Sequence, residues 1–216
     1  MPRLDERLKT VARQIRWPVH ADIGSDHGHL LKALLTAGRI DRGIAIENKR
    51  QPFENSHSTL LGLNAEVRLA DGFAGLVQDE ADGVSICGMG ARSMVRILKT
   101  FPDRVPKNVV VQPNRNPELL RQWGIEAGFH LNDEQSAAGR WEYVIMRFEQ
   151  NRHASDPAYQ GLDRKAAILF GPHFCKRNEP GWRMQLAEEK RYIETRGRLG
   201  KAMQQRLDAI ECVLSS

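Results

Sequence analysis

Leu4, Leu8, Val11, Ala12 and Ile15 recur at helical spacing, with Arg3, Arg7, Lys9, Arg13 and Arg16 on the other faces. The pattern predicts an amphipathic helix over 4–15, ended by Trp17-Pro18. From there short apolar runs alternate with helical ones. Strands are expected at 19–23, 43–46, 67–70, 83–87 and 108–112, and helices at 30–37, 52–61, 91–99 and 117–127. Gly38 and Gly62 stop two of those helices, and Pro117 opens the last. Two further runs, 129–135 and 143–148, are joined by a short connection through Ala137, Ala138 and Gly139, which predicts an antiparallel pair at one sheet edge. Strands and helices alternating at this pitch mean βαβ units and a mainly parallel sheet, an α/β fold.

The tail reads differently. Residues 151–160 are polar and suit a linker, and Gly171-Pro172 is a break. Trp182, Leu186, Ile193, Met203, Leu207, Ile210 and Leu214 then follow steps of three and four, interrupted by Glu189, Arg196 and Gly200. That period predicts a long helix or a helix pair with a coiled-coil-like seam, with Gly197 and Gly200 marking a bend. The expected organisation is a first domain over 1–150, including the N-terminal helix, and a linker with helical extension over 151–216.

Composition adds bounds. The chain has 216 residues, 41% hydrophobic and 27% charged, enough for one sizeable domain with an ordinary core plus an appendage. Cys87, Cys175 and Cys212 lack metal-ligand spacing, and a sparse, odd set points to a reducing compartment. The start has no apolar signal region and no run is long enough to span a bilayer, so the cytoplasm is expected, with no membrane partner. The net charge of +5 is concentrated at the two ends, leaving the middle acidic on balance. Basic flanks around an acidic pocket suit an anionic macromolecule presenting a neutral group to a cationic cofactor. A solvated helical surface explains the same charges. Nothing in the pattern fixes an oligomeric state.

The chemistry gathers where the apolar runs end. His20-Ala21-Asp22-Ile23-Gly24-Ser25-Asp26-His27-Gly28 closes the first strand, Glu47 the second, Asp71-Gly72 the third, Gly88-Met89-Gly90 the fourth and Gln112-Pro113-Asn114 the fifth. In an open α/β sheet those ends line one crevice, where ligands bind. Gly24 allows the chain to turn under a cofactor, and Gly28 lets backbone approach closely. Asp26 stands where the dinucleotide fingerprint has its second glycine, and a carboxylate there repels a pyrophosphate. The set therefore favours a phosphate-free cofactor with hydroxyls and a positive charge, S-adenosyl-L-methionine (SAM), over a nicotinamide dinucleotide.

Within that site Glu47 is placed to accept the ribose hydroxyls. Asp71 is placed to accept from the adenine amine, with Gly72 leaving room for the ring, although Asp-Gly is also ordinary turn chemistry. Asp22 or Asp26 can face the methionine amino group or the sulfonium, while Asp26 can instead cap the next helix. Met89 offers a polarisable wall between glycines, and Gln112 and Asn114 offer amides to a base edge. His27 and His29 lack the further ligands a metal needs, so no metal is expected. His57 and His130 read as surface residues.

These residues carry a resemblance. The helical run from Leu4 to Ile15, then Ala21-Asp22-Ile23-Gly24-Ser25-Asp26-His27, Pro52-Phe53, Asp71-Gly72, Gly88-Met89-Gly90 and Val111-Gln112-Pro113-Asn114 resemble the bacterial tRNA (adenine-N1)-methyltransferases that modify adenine 22. Leu119 to Trp123, Glu142-Tyr143 and Phe170-Gly171-Pro172 follow in the same order. The resemblance implies a Rossmann-like seven-stranded SAM-dependent methyltransferase sheet with a C-terminal helical, coiled-coil-like extension. It implies cofactor contacts within Asp22, Gly24, Ser25, Asp26, His27, Glu47, Asp71, Gly72 and Gly88, and a substrate base near Met89 and Asn114. Two positions depart from the family's pattern: Ala91 stands where a further glycine is usual, and Gly28-His29 where Ala-Tyr is usual.

The expected reaction is direct attack of adenine N1 on the SAM methyl, in tRNA held by the basic ends. Asp26 would offset the developing cation, so Asp26, Met89 and Asn114 are the candidate catalytic residues. Two other readings keep the fold: a methyltransferase for a small molecule or protein, and a non-catalytic RNA-binding protein.

Overall fold

The computed structural model describes residues 4–138, 142–196 and 199–215. Arg3, Gly139 and Gly197, each used in the sequence reading, lie outside them. The chain divides into two compact units, Met1–Arg152 and His153–Ser216.

The first unit is built on a seven-stranded sheet. Its strands are β1 (Val19–Ile23), β2 (Arg42–Glu47), β3 (Ala65–Leu69), β4 (Gly83–Met89), β5 (Asn108–Pro113), β6 (Phe129–Ala137) and β7 (Tyr143–Gln150). They lie in the order β3-β2-β1-β4-β5-β7-β6. β1 to β5 are mutually parallel, and β7 runs antiparallel between β5 and β6. β1, β2 and β5 are buried almost throughout, as strands covered on both faces must be. The crossovers are α2 (His29–Thr36), α3 (Arg50–Leu60), α4 (Ala91–Thr100) and α5 (Glu118–Ala127), preceded by α1 (Glu6–Arg13). The chain passes β1, β2, β3 in one direction and then returns to the other side of β1 with β4. The parallel strands therefore reverse order between β1 and β4, and their C-terminal ends share one edge.

α1 is fixed from both ends. Asp5 Oδ1 accepts from Leu8 N at 2.7 Å as the N-cap. Arg39 donates to Ile15 O and Arg13 O, each at 2.9 Å, satisfying carbonyls at the other end. Val11 and Ile15 are fully buried in the core with Leu31 and Leu34 of α2. One expectation fails here. His130 is buried rather than exposed: although β6 is an edge strand, its first residues Phe129–Leu131 are all buried, and α1 and α5 pack against the strand.

The second unit is helical: α6 (Arg164–Phe170), α7 (Pro172–Arg177), α8 (Pro180–Glu194) and α9 (Lys201–Ser215). The first two were not legible as elements in the sequence. Gly171, at φ +97°, is the joint between them and sits where the break was expected. The stretch read as a linker contains a short 3-10 turn at Pro157–Tyr159, capped by Asp156, with Ala158 buried. α8 and α9 form the helix pair, and Leu186, Ile193, Leu207 and Ile210 of the seam share its core. Glu189, an interruption of the apolar series, pairs with Arg206 across it. Among the described residues no helix is long and apolar enough to cross a membrane.

Candidate active site

A cavity of about 410 Å³ opens at the point where the strand order reverses. The turn after β1 supplies Gly24, Ser25, Asp26 and His27; the end of β4 supplies Cys87, Gly88 and Met89; β1 itself supplies Asp22. His29 and Leu30 of α2 and Arg7 and Leu8 of α1 complete the lining. Open α/β sheets bind ligands at such a switch point.

Its shape depends on backbone that few residues adopt. Gly24 sits at φ +73°, and an added Cβ would collide with Met89 Cε. Gly88, also at φ +73°, is the extra residue of a bulge that shifts the β4–β5 register between Cys87 and Met89 and re-aims the end of β4. Asp26 holds φ +58°, and its N–H donates to Glu47 Oε1 at the end of β2. Asp26 does not cap α2, whose N-cap is Gly28 at φ +68°. Its carboxylate is exposed to solvent, paired at 3.8 Å with His27 Nε2.

The electrostatics are set by burial. Asp22 is 3% exposed, and burial raises its pKa against hydroxyls of Ser85 and Ser25 and the Arg7 charge. Glu47 is pushed up to about 7, chiefly by burial and further by Asp22 and Asp26, while the Asp26 N–H opposes the shift. His29 is lowered by burial and by neighbouring His27, on which it stacks with centroids 5.4 Å apart. Burial raises the Cys87 thiol, which makes it an inert wall rather than a nucleophile.

The cavity thus brings together Asp22, Gly24, Ser25, Asp26, His27, Gly88 and Met89 of the expected residues. Glu47 stands behind the turn, tied to Asp26. Asp71 is exposed at the end of β3, and Gly72 begins a 3-10 turn there; both share the sheet edge without lining the cavity. Asn114 is spent on the strand ends: its amide donates to Gly88 O at 2.6 Å. Gln112, expected to offer its amide to a base, is fully buried instead, and its Oε1 accepts from Arg7 at 2.6 Å and from Gly88 N at 3.1 Å. The two amides shape the end of β4.

Arg7 was missed as a site residue. The sequence placed it among surface cations, but α1 carries it to the cavity, onto Gln112 and within 5.8 Å of the Tyr143 ring. The signal that could have found it is its position on α1 one residue before Leu8, which turns inward with it. Among the described residues no group of three or more His, Cys, Asp or Glu is placed to hold a metal.

With that geometry in place, comparison with known proteins is decisive. The family described as tRNA (adenine(22)-N(1))-methyltransferase, TrmK, matches residues 20–209. The chain belongs to this family. The tRNA (adenine(22)-N(1))-methyltransferase of Bacillus subtilis (strain 168) is 31% identical over 208 residues, covering 89% of this chain and 84% of that protein. The crystal structure of the B. subtilis m1A22 tRNA methyltransferase TrmK matches with a TM-score of 0.84 at 26% identity, over 100% of this chain and 97% of that one. A Streptococcus pneumoniae protein solved in complex with SAM matches with a TM-score of 0.83 at 26% identity, over 98% of this chain and all of that one.

The fold of this TrmK member is therefore the Rossmann-like methyltransferase sheet. Its two departures from the pattern fall on structured turns. Gly28 needs its left-handed φ, with Leu60 Cγ 3.1 Å from where a Cβ would lie. Ala91 is buried at the start of α4. The cavity suits SAM on its own observations: a half-buried glycine turn at Gly24 for a ligand to lie against, a buried carboxylate for an ammonium, and an exposed one at the rim.

Proposed function

We infer that this protein transfers a methyl group from SAM to N1 of adenine 22 in tRNA. Family membership carries the reaction, and the carboxylate-bearing cavity at the β1/β4 switch point supports its location. Bound SAM supplies a sulfonium-activated methyl: the N1 lone pair forms the N–C bond as the S–C bond breaks, and the positive charge passes to the base. Neutral N1 already carries its lone pair, so no strong base is needed. Positioning and exclusion of water do most of the work.

In this reading Asp22 takes the methionine amino group, and Gly24 and Ser25 give backbone to the cofactor. Glu47 takes the ribose hydroxyls, and Asp71 and Gly72 take the adenine end. Asp26 and His27 stand at the rim, where the Asp26 carboxylate offsets the charge developing on the base. Met89 walls the transfer point; Asn114 holds Gly88 so that the bulge keeps its shape. The target base must leave its stack, because N1 lies on the pairing edge. Residues 151–216 form the RNA-holding extension, with Arg164, Lys165, Lys176 and Arg177 exposed on α6 and α7 to meet phosphates. A tRNA substrate puts the enzyme in the cytoplasm.

The test is incubation with unmodified tRNA and methyl-labelled SAM, followed by mapping of the labelled base. Label on N1 of adenine 22 is expected. Label on another nucleotide, or on protein or small molecules in preference to tRNA, overturns the reading.

A further inference from the structure

We propose that Trp17, His20 and Ser85 form a positioning relay that fixes the buried Asp22 carboxylate for the cationic amino group of SAM. The proposal rests on the cofactor role given to Asp22 above and names residues behind it.

The relay is built by register. Asp22 of β1 lies opposite Ser85 of β4, and His20 lies opposite Gly83. Side chains two apart on a strand share a face, so His20, Asp22 and Ser85 meet on one side of the sheet. His20 Nε2 is 2.9 Å from Ser85 Oγ, and Ser85 Oγ donates to Asp22 Oδ1 at 2.6 Å. Behind them Trp17 Nε1 donates to His20 Nδ1 at 2.9 Å. Gly83 makes room: a Cβ there would fall inside the Trp17 indole.

The chemistry fixes the direction of every bond. An indole N–H can only donate, so His20 Nδ1 is an acceptor. Burial holds the His20 ring neutral, with a pKa lowered to about 3. Its single proton is then on Nε2, which donates to Ser85 Oγ. That leaves the Ser85 proton for Asp22. The relay cannot reverse, because its first member has no acceptor. Each bond polarises the next toward the carboxylate.

Such groups are costly inside a parallel sheet. His20 and Ser85 are fully buried, where Ala21 and Val84 beside them pack without any polar atom. Filling the core does not require them; holding a carboxylate in one rotamer does. The charged and titratable groups facing Asp22 from other elements are Arg7 of α1, Glu47 of β2 and Cys87 of β4. Arg7 favours the ionised form of Asp22, and the Asp22 charge in turn raises the pKa of Glu47 and Cys87. The relay adds a donor on the inner oxygen.

The test measures SAM affinity by calorimetry and methyl transfer to tRNA from pH 5.5 to 9 on the full chain. Ser85→Ala is expected to weaken SAM binding about tenfold at neutral pH, the usual effect of losing a hydrogen bond to a charge. The loss should deepen toward acid, because Asp22 then protonates more readily. His20→Gln, which keeps an N–H donor, should bind better than His20→Phe. In an Asp22→Asn background Ser85→Ala should cost nothing further. Near-native SAM affinity in Asp22→Asn itself would overturn the cofactor role of Asp22. Weak Asp22→Asn with native Ser85→Ala would leave that role and overturn the relay. So would a Ser85→Ala loss that is equal in both backgrounds and flat with pH. Trp17→Phe, at the half-buried outer end, gives the same reading through the pH profile should Ser85→Ala not fold, with an expected loss of about threefold.

Discussion

The strand-end cavity and the helical unit of 153–216 are made by opposite means. The cavity is held by backbone that needs glycine or positive φ and by polar side chains taken out of water. The helical unit is held by an apolar seam, with its charges turned outward or spent on helix ends and cross-helix pairs. In the first, each polar residue has one geometry and removing it changes chemistry. In the second, apolar contacts set stability, and the exposed charges act through their sum. Chemistry and stability should therefore separate between the two regions.

The largest break in that separation would come from the seam. Ile210→Ala removes a fully buried side chain and should cost about 2–5 kcal/mol of helical-unit stability, read by denaturant unfolding. SAM affinity at low denaturant should not change; a tenfold loss would mean that the two regions act as one. Next is the cavity floor. Gly24→Val forces a β-branched residue into φ +73° and against Met89, at a cost of at least about 1–2 kcal/mol, and should abolish detectable SAM binding. Native affinity in that variant would move the cofactor elsewhere.

Charge reversal of Arg164, Lys165, Lys176 and Arg177 together should raise KM for tRNA by about tenfold or more and flatten its salt dependence. SAM Kd should hold. A change in kcat alone would argue that these residues shape the reaction rather than hold phosphates. The smallest effect is proton linkage at Glu47. Its carboxyl titrates near 7 in the free protein, raised from the usual 4.5 mainly by burial. Accepting ribose hydroxyls favours the ionised form and lowers that value, so binding releases a proton below pH 7. Affinity for SAM should rise from pH 5 to about 7 and level off above it. Calorimetry in two buffers of different ionisation heat at pH 6 should detect the proton; none released, with Glu47→Gln identical, would remove Glu47 from the ribose.

The contrast also governs what could be read from the chain. All five parallel strands and the edge pair were legible: β1, β2, β4 and β5 are largely buried apolar runs ended by turn residues, and β3, at the far edge, still carries Val67 and Leu69 in alternation with Glu66 and Arg68. Gly24, Asp26 and Met89 were legible because tight turns leave a residue-type signature. Arg7 was not. Helical periodicity sorts residues by face, and the cavity lies at the margin of the polar face of α1. The relay was not legible either: His20 and Ser85 are 65 positions apart, and only the β1–β4 register joins them. α6 and α7 span seven and six residues, too short to show a period. His130 looked exposed because a lone polar residue in a strand gives no sign of what covers it. In the tail, a count of charges cannot show that Arg183 donates to Leu214 O at 2.7 Å near the end of α9.

Hydrogen exchange with and without S-adenosylhomocysteine puts the location of the cofactor most directly at risk. Protection is expected at the backbone amides of 23–29 and 86–90, with the amides of 180–215 unchanged. Protection confined to the helical unit, or no change at the turn after β1, would contradict a cofactor seated where the parallel strands reverse.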